Sequence, residues 1–470
     1  MIRSLLVTAM LGVLCAKAPA AEDITVVPRI EGDWWTVAHN PDLGACTSDR
    51  QQPVDFAVWQ AADGVWQLWS CIRFTRLGGH TRLFYRWEGK NLTDHDWEPG
   101  GIAMEADPAL GEPPGGLQAP HVVRWNGLYH MAYGDWDHLC FASSEDGKTF
   151  TRRILANGQT GVFTEGPGQN TRDPVLLFTR NRWHLYYTAF PRGKGYVFCR
   201  TSADLHDWSD SMIVAYGGRA GNHPFSCECP HVVETEPGLY HLFRTQMYGE
   251  GAQTSVYQSR NPYNFGIDDD HGFVCTLPVA APEIILHDGQ YYIAALLPSL
   301  QGIQIARLTF LAERAVPVFA FDSPEARAQW RVAEGELPNP FTASIRSNFY
   351  PPMQHFIGTA ELPGESVAHD ELVAVVESPE FIVEHSSYRL AVSGGIDEAR
   401  VYCALVDAET GALLWKTTGN GSNHFGNVRA EWQEFQGKRV RLRVVDQSTA
   451  AWGHINFGGL YAMLPIDKKP

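Results

Sequence analysis

The chain lacks three features that would each have pointed to a particular class of protein. It has no Cys-x-x-Cys pair accompanied by histidines, which is the pattern typical of a structural zinc site. Beyond its first 21 residues it has no apolar run long enough to cross a bilayer. It also has no excess of positive charge: the net charge is −16, which argues against nucleic acid and anionic membrane surfaces as partners.

Turn-forming and aromatic residues are present in quantity instead. The 470 residues include 44 Gly, 29 Pro, 23 Phe, 15 Trp and 17 Tyr. This composition favours turns and strands over helices and predicts an all-β protein. The length leaves room for about two or three domains with a large core.

The first 21 residues have the pattern of a signal peptide. Arg3 is followed by an apolar run from Leu5 to Cys15, and the small residues that end at Ala21 suit cleavage there. We therefore expect residues 1–21 to be removed and the protein to be exported to the periplasm or the extracellular space. The alternative is a buried N-terminal helix. Cleavage would leave eight cysteines, which could pair after export or remain as buried thiols.

A sequence pattern recurs five times in the first two thirds of the chain. Each copy has a strand start, an apolar run, a polar turn and an aromatic-rich strand, which together indicate a β-hairpin. The copies are 64, 54, 56 and 52 residues apart when aligned on Asp55, Ala119, Asp173, Cys229 and Ala281. A repeat of this length with several short strands is typical of a propeller blade, which must stack on its neighbours to bury its faces. We predict a five-bladed β-propeller over residues 22–315.

From residue 316 to residue 470 the repeat is absent and a different strand pattern follows. Short strands separated by Gly, Asp and Asn turns predict an antiparallel β-sandwich as the C-terminal domain. The predicted strands are Leu372–Val376, Glu380–Val383, Tyr388–Val392, Val401–Val406, Ala412–Thr417 and Val440–Val445.

Acidic residues stand at the start of three of the five repeats, at Asp55, Asp173 and Glu228. The first strand of each blade lines the propeller axis, so we expect these side chains to converge. Three carboxylates in a partly desolvated pocket repel each other, which raises the pKa of at least one. A protonated carboxyl beside an ionised one is what glycosidic bond cleavage requires. A lone Asp at a strand start is usually a turn residue, but recurrence at one repeat position favours a site.

Two of these acids lie in motifs that resemble those of a known family. Arg172-Asp173-Pro174 and Glu228-Cys229-Pro230 resemble the Arg-Asp-Pro and Glu-Cys-Pro motifs of glycoside hydrolase family 32, which is related to families 43, 68 and 117. Members of family 32 carry a five-bladed propeller and a C-terminal β-sandwich. The resemblance implies that Glu228 is the general acid/base, that Asp173 stabilises the transition state, and that Arg172 binds sugar hydroxyls.

The activity implied by the resemblance is that of a secreted, retaining β-fructofuranosidase or levanase, which cleaves terminal furanosidic bonds of an oligo- or polysaccharide. One motif is missing, because the family's nucleophile lies in Asn-Asp-Pro-Asn-Gly and this chain reads Gln-Gln-Pro-Val-Asp-Phe from residue 51. Alignment on Pro53 puts Gln52 at the nucleophile position and predicts a carbohydrate-binding propeller without catalysis. Alignment on the aromatic second strand puts Asp55 there, and we favour it. An arabinofuranosidase or another exo-glycosidase of the family 43 or 117 type remains an alternative.

Other polar and aromatic side chains are secondary candidates. Gln118 holds in the second repeat the position of Glu228 in the fourth, so it could bind a sugar hydroxyl. Trp69 and Arg73, near the end of the second strand of the first repeat, could form a wall on which a sugar stacks; a tryptophan packed in the core is the alternative for Trp69.

Three further residues directly follow the proline of their repeats and are expected to face the central channel: His121, His231 and Glu283. We favour a polar lining satisfied by water, with a channel-bound cation as the alternative. The sequence thus predicts no metal and no cofactor.

Overall fold

The computed structural model describes residues 24–338, 340–342, 353–362 and 364–466, so the predicted signal peptide lies outside the described residues. Within those ranges the only α-helix is one turn, Pro324–Arg327, and the rest consists of strands, loops and short 3₁₀ turns. No helix in the described part of the chain is both long enough and apolar enough to cross a membrane. The predicted all-β class is confirmed.

The first described strand is β1 (Ile24–His39), and after it the chain forms four separate four-stranded antiparallel sheets. Neighbouring strands follow chain order in each sheet, as expected for propeller blades. The first two blades are β2 (Gln52–Gln60), β3 (Trp66–Arg73), β4 (Leu83–Gly89) and β5 (Glu98–Met104), then β6 (Gln118–Trp125), β7 (Leu128–Gly134), β8 (Leu139–Ser144) and β9 (Thr151–Arg152). The next two are β10 (Arg172–Thr179), β11 (Arg182–Ala189), β12 (Tyr196–Ser202) and β13 (Met212–Ala215), then β14 (Glu228–Glu236), β15 (Leu239–Met247), β16 (Gln253–Ser259) and β17 (Phe273–Leu277).

The fifth blade is built from two distant parts of the chain. Three of its strands are consecutive in the chain: β18 (Glu283–His287), β19 (Gln290–Leu296) and β20 (Gly302–Phe319). Its outer strand is β1, which pairs antiparallel with β20 from Ile24 opposite Arg314 to His39 opposite Gly302. This pairing ties the start of the propeller to its end and covers the edge that β20 would otherwise expose. The repeat pattern did not reveal it, because β1 precedes the first repeat.

The C-terminal part is a sandwich of two sheets, and the predicted fold class is confirmed. One sheet contains β22 (Phe341–Thr342), β23 (Phe356–Gly358), β26 (Ser387–Gly394), β29 (Ser422–Glu431) and β31 (Ile455–Pro465). The other contains β21 (Arg331–Gly335), β24 (Ala374–Glu377), β25 (Phe381–Ile382), β27 (Val401–Asp407), β28 (Leu413–Thr417) and β30 (Arg439–Asp446). The six strands predicted from sequence correspond to β24–β28 and β30.

One strand belongs to both parts of the molecule. The end of β20 pairs with β31, from Glu313 opposite Pro465 to Phe319 opposite Leu460. The boundary predicted at residue 316 falls inside this strand. Between the two sheets lies an apolar core that includes Trp432, Leu390 and Phe457.

The first strand of each blade, called the inner strand from here on, has a backbone irregularity near its start; the inner strands are β2, β6, β10, β14 and β18. Non-glycine residues there have positive φ angles of 37°, 43°, 56°, 44° and 48°, at Asp55, Ala119, Asp173, Cys229 and Ala281 in turn. In the first four blades the strand register shifts at this point, which marks a β-bulge. These are the five positions that the sequence alignment matched. The backbone therefore makes Asp55, and not Gln52, the counterpart of Asp173.

Trp69 was predicted to stack against a sugar, and this prediction is wrong. Its side chain is 2% exposed and packs against Trp59 and Phe150, with ring centroids 5.8 and 5.3 Å apart. Phe150 belongs to the second blade, so Trp69 fills the interface between blades one and two. Both faces of a blade are covered by its neighbours, and a large aromatic residue in a middle strand is therefore buried whichever face it lies on.

Replacement of Trp69 by Ala should lower the free energy of unfolding by about 3–5 kcal/mol, because the cavity would lie in the packed interface between two blades. Denaturant unfolding followed by tryptophan fluorescence and circular dichroism measures the change. Leu286, which is 59% exposed on β18, provides the control: Leu286→Ala should change stability by no more than about 0.5 kcal/mol. A Trp69→Ala protein of unchanged stability would contradict this placement.

Candidate active site

The inner strands bring the three sequence-predicted carboxyl groups to one end of the central channel. Cys229 links two of them: its backbone N–H donates to Oδ2 of Asp173 at 3.0 Å, and its Sγ lies 3.1 Å from Oδ1 of Asp55. Glu228 precedes Cys229 and shares an arginine partner with Asp173. All five blades line the channel, with residues Asp55, Phe56, Ala119, Pro120, Asp173, Pro174, Val175, Cys229, Pro230, Ala281 and Glu283.

Arg172 holds the second and third of these carboxyl groups in place. Its Nη2 donates to Oε1 of Glu228 at 2.7 Å, and its Nε lies 3.6 Å from Oδ2 of Asp173. Its Nη1 donates to the carbonyl oxygen of Asn170 at 3.0 Å. Only 3% of the residue is exposed. Arg172 thus contacts both carboxyl groups, and its contact with a sugar hydroxyl stays a prediction.

A second arginine, which the sequence analysis missed, lies beside Asp55. Nη1 of Arg82 is 3.7 Å from Oδ2 of Asp55, and its guanidinium lies 5.2 Å from the ring centroid of Trp136. Trp136 is stacked on His80 with centroids 3.8 Å apart and has a φ of 93°, which is unusual for a bulky residue. Arg82 and Trp136 come from loops of different blades, outside the repeated pattern, and no sequence signal connected them to the site.

The thiol of Cys229 lies between Asp55 and a tyrosine hydroxyl. The hydroxyl of Tyr248 lies 3.3 Å from Sγ of Cys229. Burial, reinforced by nearby Asp55 and Asp173, raises the pKa of the Cys229 thiol well above its usual range, so the thiol stays protonated and can donate to Asp55. Burial likewise raises the pKa of Tyr248 well above its ordinary value. The sequence analysis used Cys229 only as a landmark of the repeat.

Asp173 has a raised pKa. Burial raises the pKa of Asp173 to about 7; Arg172 opposes this effect, and the charges of Asp55 and Glu228 add to it. The pKa of one carboxyl group of the cluster is therefore raised, with burial as the largest cause and the neighbouring carboxyl groups as a smaller one. Oδ1 of Asp173 is buried and has no hydrogen-bond partner among the described residues, so it is free to carry a proton or to meet a ligand hydroxyl.

The two remaining predicted residues, Gln118 and Arg73, differ in their contacts. Gln118 is 1% exposed, and neither atom of its amide has a hydrogen-bond partner in the described ranges, so its proposed contact with a hydroxyl stays a prediction. Nε and Nη2 of Arg73 donate to Oε1 of Gln52 at 3.0 and 2.8 Å. Gln52 is thus held by Arg73 at the strand ends, whereas Asp55 contacts Cys229 and Arg82.

Comparisons with known proteins show similarity to several propeller glycosidases at low identity. No protein-family model matches the sequence, and no curated protein matches it. An exo-β-1,3-galactanase from Phanerochaete chrysosporium is 10% identical, with 93% of this chain and 100% of that chain covered and a TM-score of 0.38. A family 32 β-fructofuranosidase from Bombyx mori is 13% identical, with 93% and 95% covered and a TM-score of 0.40.

The catalytic domain of a family 62 α-L-arabinofuranosidase from Coprinopsis cinerea is 12% identical, with 59% of this chain and 96% of that chain covered and a TM-score of 0.41. These structural similarities are weak and extend to enzymes of several families, so they do not identify the family of this chain.

The raised pKa of Asp173 predicts a specific pH dependence of stability. In the unfolded chain an Asp side chain titrates near pH 4, so between about pH 4 and pH 7 the folded protein binds a proton at Asp173 that the unfolded chain has lost. The free energy of unfolding should therefore fall as the pH rises through this window. Above about pH 7 the titration of Asp173 should lower it no further. Relative to an Asp173→Asn variant, the wild-type protein should lose at most about 4 kcal/mol across the window.

Urea unfolding of both proteins between pH 4.5 and 8 measures this difference. Asp33, which is exposed on β1, provides the control, and Asp33→Asn should differ from wild type by an amount that does not vary with pH over the same range. A pH-independent difference between wild type and Asp173→Asn would contradict the raised pKa.

Proposed function

We propose that the protein is an exported glycoside hydrolase that cleaves terminal glycosidic bonds of an oligo- or polysaccharide with retention of configuration. The observation that carries the proposal is the cluster of Asp55, Asp173 and Glu228 at one end of the channel, linked through Cys229 and Arg172. Glycosidic bond cleavage needs a proton donor and a carboxylate at opposite sides of the bond, and three converging carboxyl groups can provide both.

The roles follow from the chemistry of double displacement. Asp55 attacks the anomeric carbon and forms a glycosyl ester, while Glu228 protonates the departing glycosidic oxygen. Glu228 then takes a proton from water, whose oxygen attacks the anomeric carbon and releases Asp55. Asp173 offers its unpartnered Oδ1 to the sugar hydroxyls next to the positive charge that develops on the ring.

The substrate class rests on the motifs around Asp173 and Glu228, which favour a β-fructofuranoside. The missing Asn-Asp-Pro-Asn-Gly run favours a second candidate, an arabinofuranoside or another exo-cleaved sugar. A screen of sucrose, levan and inulin against arabinofuranosyl and galactosyl substrates separates the two. Release of fructose supports the first candidate, and release of arabinose or galactose alone supports the second.

Asp55→Asn should reduce turnover at least about 10³-fold, since the amide cannot attack the anomeric carbon. Asn has the same shape and tolerates the positive φ of this position, so circular dichroism should show an unchanged fold. The matched control is Gln52→Ala, which should keep most of the activity because Gln52 contacts Arg73 and not the carboxyl cluster. A wild-type protein that binds sugars but turns none over would leave the non-catalytic propeller as the better description.

Glu228→Gln should slow substrates with poor leaving groups by about 10²–10⁴-fold, because these need a proton on the departing oxygen. Activated aryl glycosides should be slowed much less in the first step, and added azide should restore turnover. The comparison variant is Asp173→Asn, which should slow both substrate types to a similar degree if Asp173 stabilises the transition state. If Asp173→Asn and not Glu228→Gln shows the dependence on leaving group, the proton donor is Asp173.

A further inference from the structure

Two residues beyond the bulge, the inner strands place a second ring of side chains around the channel. The five residues of this ring are Ala57, His121, Val175, His231 and Glu283. The three polar members converge, and one potential ligand atom from each lies within 4.8 Å of the others. Nδ1 of His231 is 3.4 Å and Nδ1 of His121 is 3.6 Å from the same atom, Oε2 of Glu283.

Two of the side chains are buried and Glu283 is half-buried, and the three make no hydrogen bonds of normal length to one another. His121 and His231 are 9% and 5% exposed, and their Nδ1 atoms have no hydrogen-bond partner in the described part of the chain. An N–H···O bond is normally about 2.7–3.2 Å long, so the separations of 3.4 and 3.6 Å are too great for one. Buried polar atoms left in this state are costly, which indicates that something else satisfies them.

A different arrangement of protons on His231 is the competing explanation. The backbone N–H of Ile284 lies 3.4 Å from Nε2 of His231, and if it donates there, the ring proton sits on Nδ1 and points to Glu283. In this arrangement the contact with Ile284 and the contact with Glu283 are each 3.4 Å long. Neither ring nitrogen of His231 would then have a hydrogen bond of normal length.

The separations suit a small cation. Zinc binds imidazole nitrogen and carboxylate oxygen at about 2.0–2.2 Å in tetrahedral geometry, which places neighbouring ligand atoms about 3.3–3.6 Å apart. The two nitrogen-to-oxygen separations fall in that interval, and the ligand atoms of the two histidines lie within 4.8 Å of each other. Two imidazoles and one carboxylate are ligands that zinc and similar transition metals prefer, whereas calcium and magnesium prefer oxygen. Three protein ligands leave one position for water.

The charges along the channel also favour a cation. Four acidic side chains, Asp55, Asp173, Glu228 and Glu283, face or adjoin the channel, and the two arginines among their contacts are Arg82 and Arg172. Even with Asp173 protonated, the carboxylates outnumber these guanidinium groups. Buried negative charge without compensation is strongly unfavourable, and a divalent cation at the second ring would offset it.

We propose that His121, His231 and Glu283 bind one divalent transition-metal ion of the zinc type in the propeller channel, next to the carboxyl cluster. The ion would join the inner strands of blades two, four and five. This replaces our expectation of a polar lining satisfied by water. The inference is independent of whether the protein cleaves sugars, because its test measures metal and not turnover.

The first experiment uses the whole protein. After treatment with a chelator, it is loaded with Zn²⁺, dialysed and analysed for metal, and titrated by calorimetry with Zn²⁺ and separately with Ca²⁺. We expect one Zn²⁺ per chain with a Kd below about 1 μM and no comparable binding of Ca²⁺. Co²⁺ in its place should give the intense visible absorption of a tetrahedral site. Absence of stoichiometric Zn²⁺, preferential binding of Ca²⁺, or a weak octahedral Co²⁺ spectrum would overturn the proposal.

The second experiment assigns the ligands. His121→Gln, His231→Gln and Glu283→Gln should each weaken Zn²⁺ binding at least about 100-fold. The control is His184→Gln, which removes a fully buried histidine of the third blade whose Nε2 contacts the hydroxyl of Tyr263, and it should leave Zn²⁺ affinity unchanged. Equal affinity in all four variants would place the metal elsewhere and overturn the assignment. If a variant does not fold, the stoichiometry and Co²⁺ spectrum of the wild-type protein still decide.

Discussion

The residue with positive φ near the start of each inner strand is the constraint on which the candidate site depends. A residue with positive φ at the same point of all five strands turns its side chain toward the channel, and the backbone there is of a kind that non-glycine residues adopt infrequently. Asp55 and Asp173 hold this position, Cys229 holds it in the fourth blade, and Glu228 precedes it. Because five blades repeat one backbone irregularity, residues more than fifty positions apart in sequence meet at one point.

Convergence of this kind has an electrostatic cost that the surrounding residues offset only in part. Arg172 contacts Asp173 and Glu228, and Arg82 lies beside Asp55. Burial still raises the pKa of Asp173, and one of its oxygens has no partner among the described residues. A cluster that is unfavourable for stability and incompletely satisfied is typical of a site that meets a ligand, because the groups left unsatisfied are available to bind it.

The ring of blades holds these groups in register. β1 pairs with β20 over the whole length of the first described strand, so the fifth blade is completed by the part of the chain that precedes the first. The same β20 continues into the sandwich through its pairing with β31. The second channel ring, with His121, His231 and Glu283, draws on three blades at once. Both clusters therefore require a closed propeller, since no single blade contains either of them.

The sequence by itself determined the number of blades, six of the sandwich strands and the positions of the three acids, because a repeat period and an alternating apolar pattern are local properties that survive without an alignment. Only the tertiary structure decided which side chains meet across blades. It buried Trp69 between two blades, turned Arg172 toward two carboxyl groups, brought Arg82 to Asp55, and brought Tyr248 to Cys229. Such contacts join residues far apart in sequence through loops and blade interfaces, and no periodicity records them.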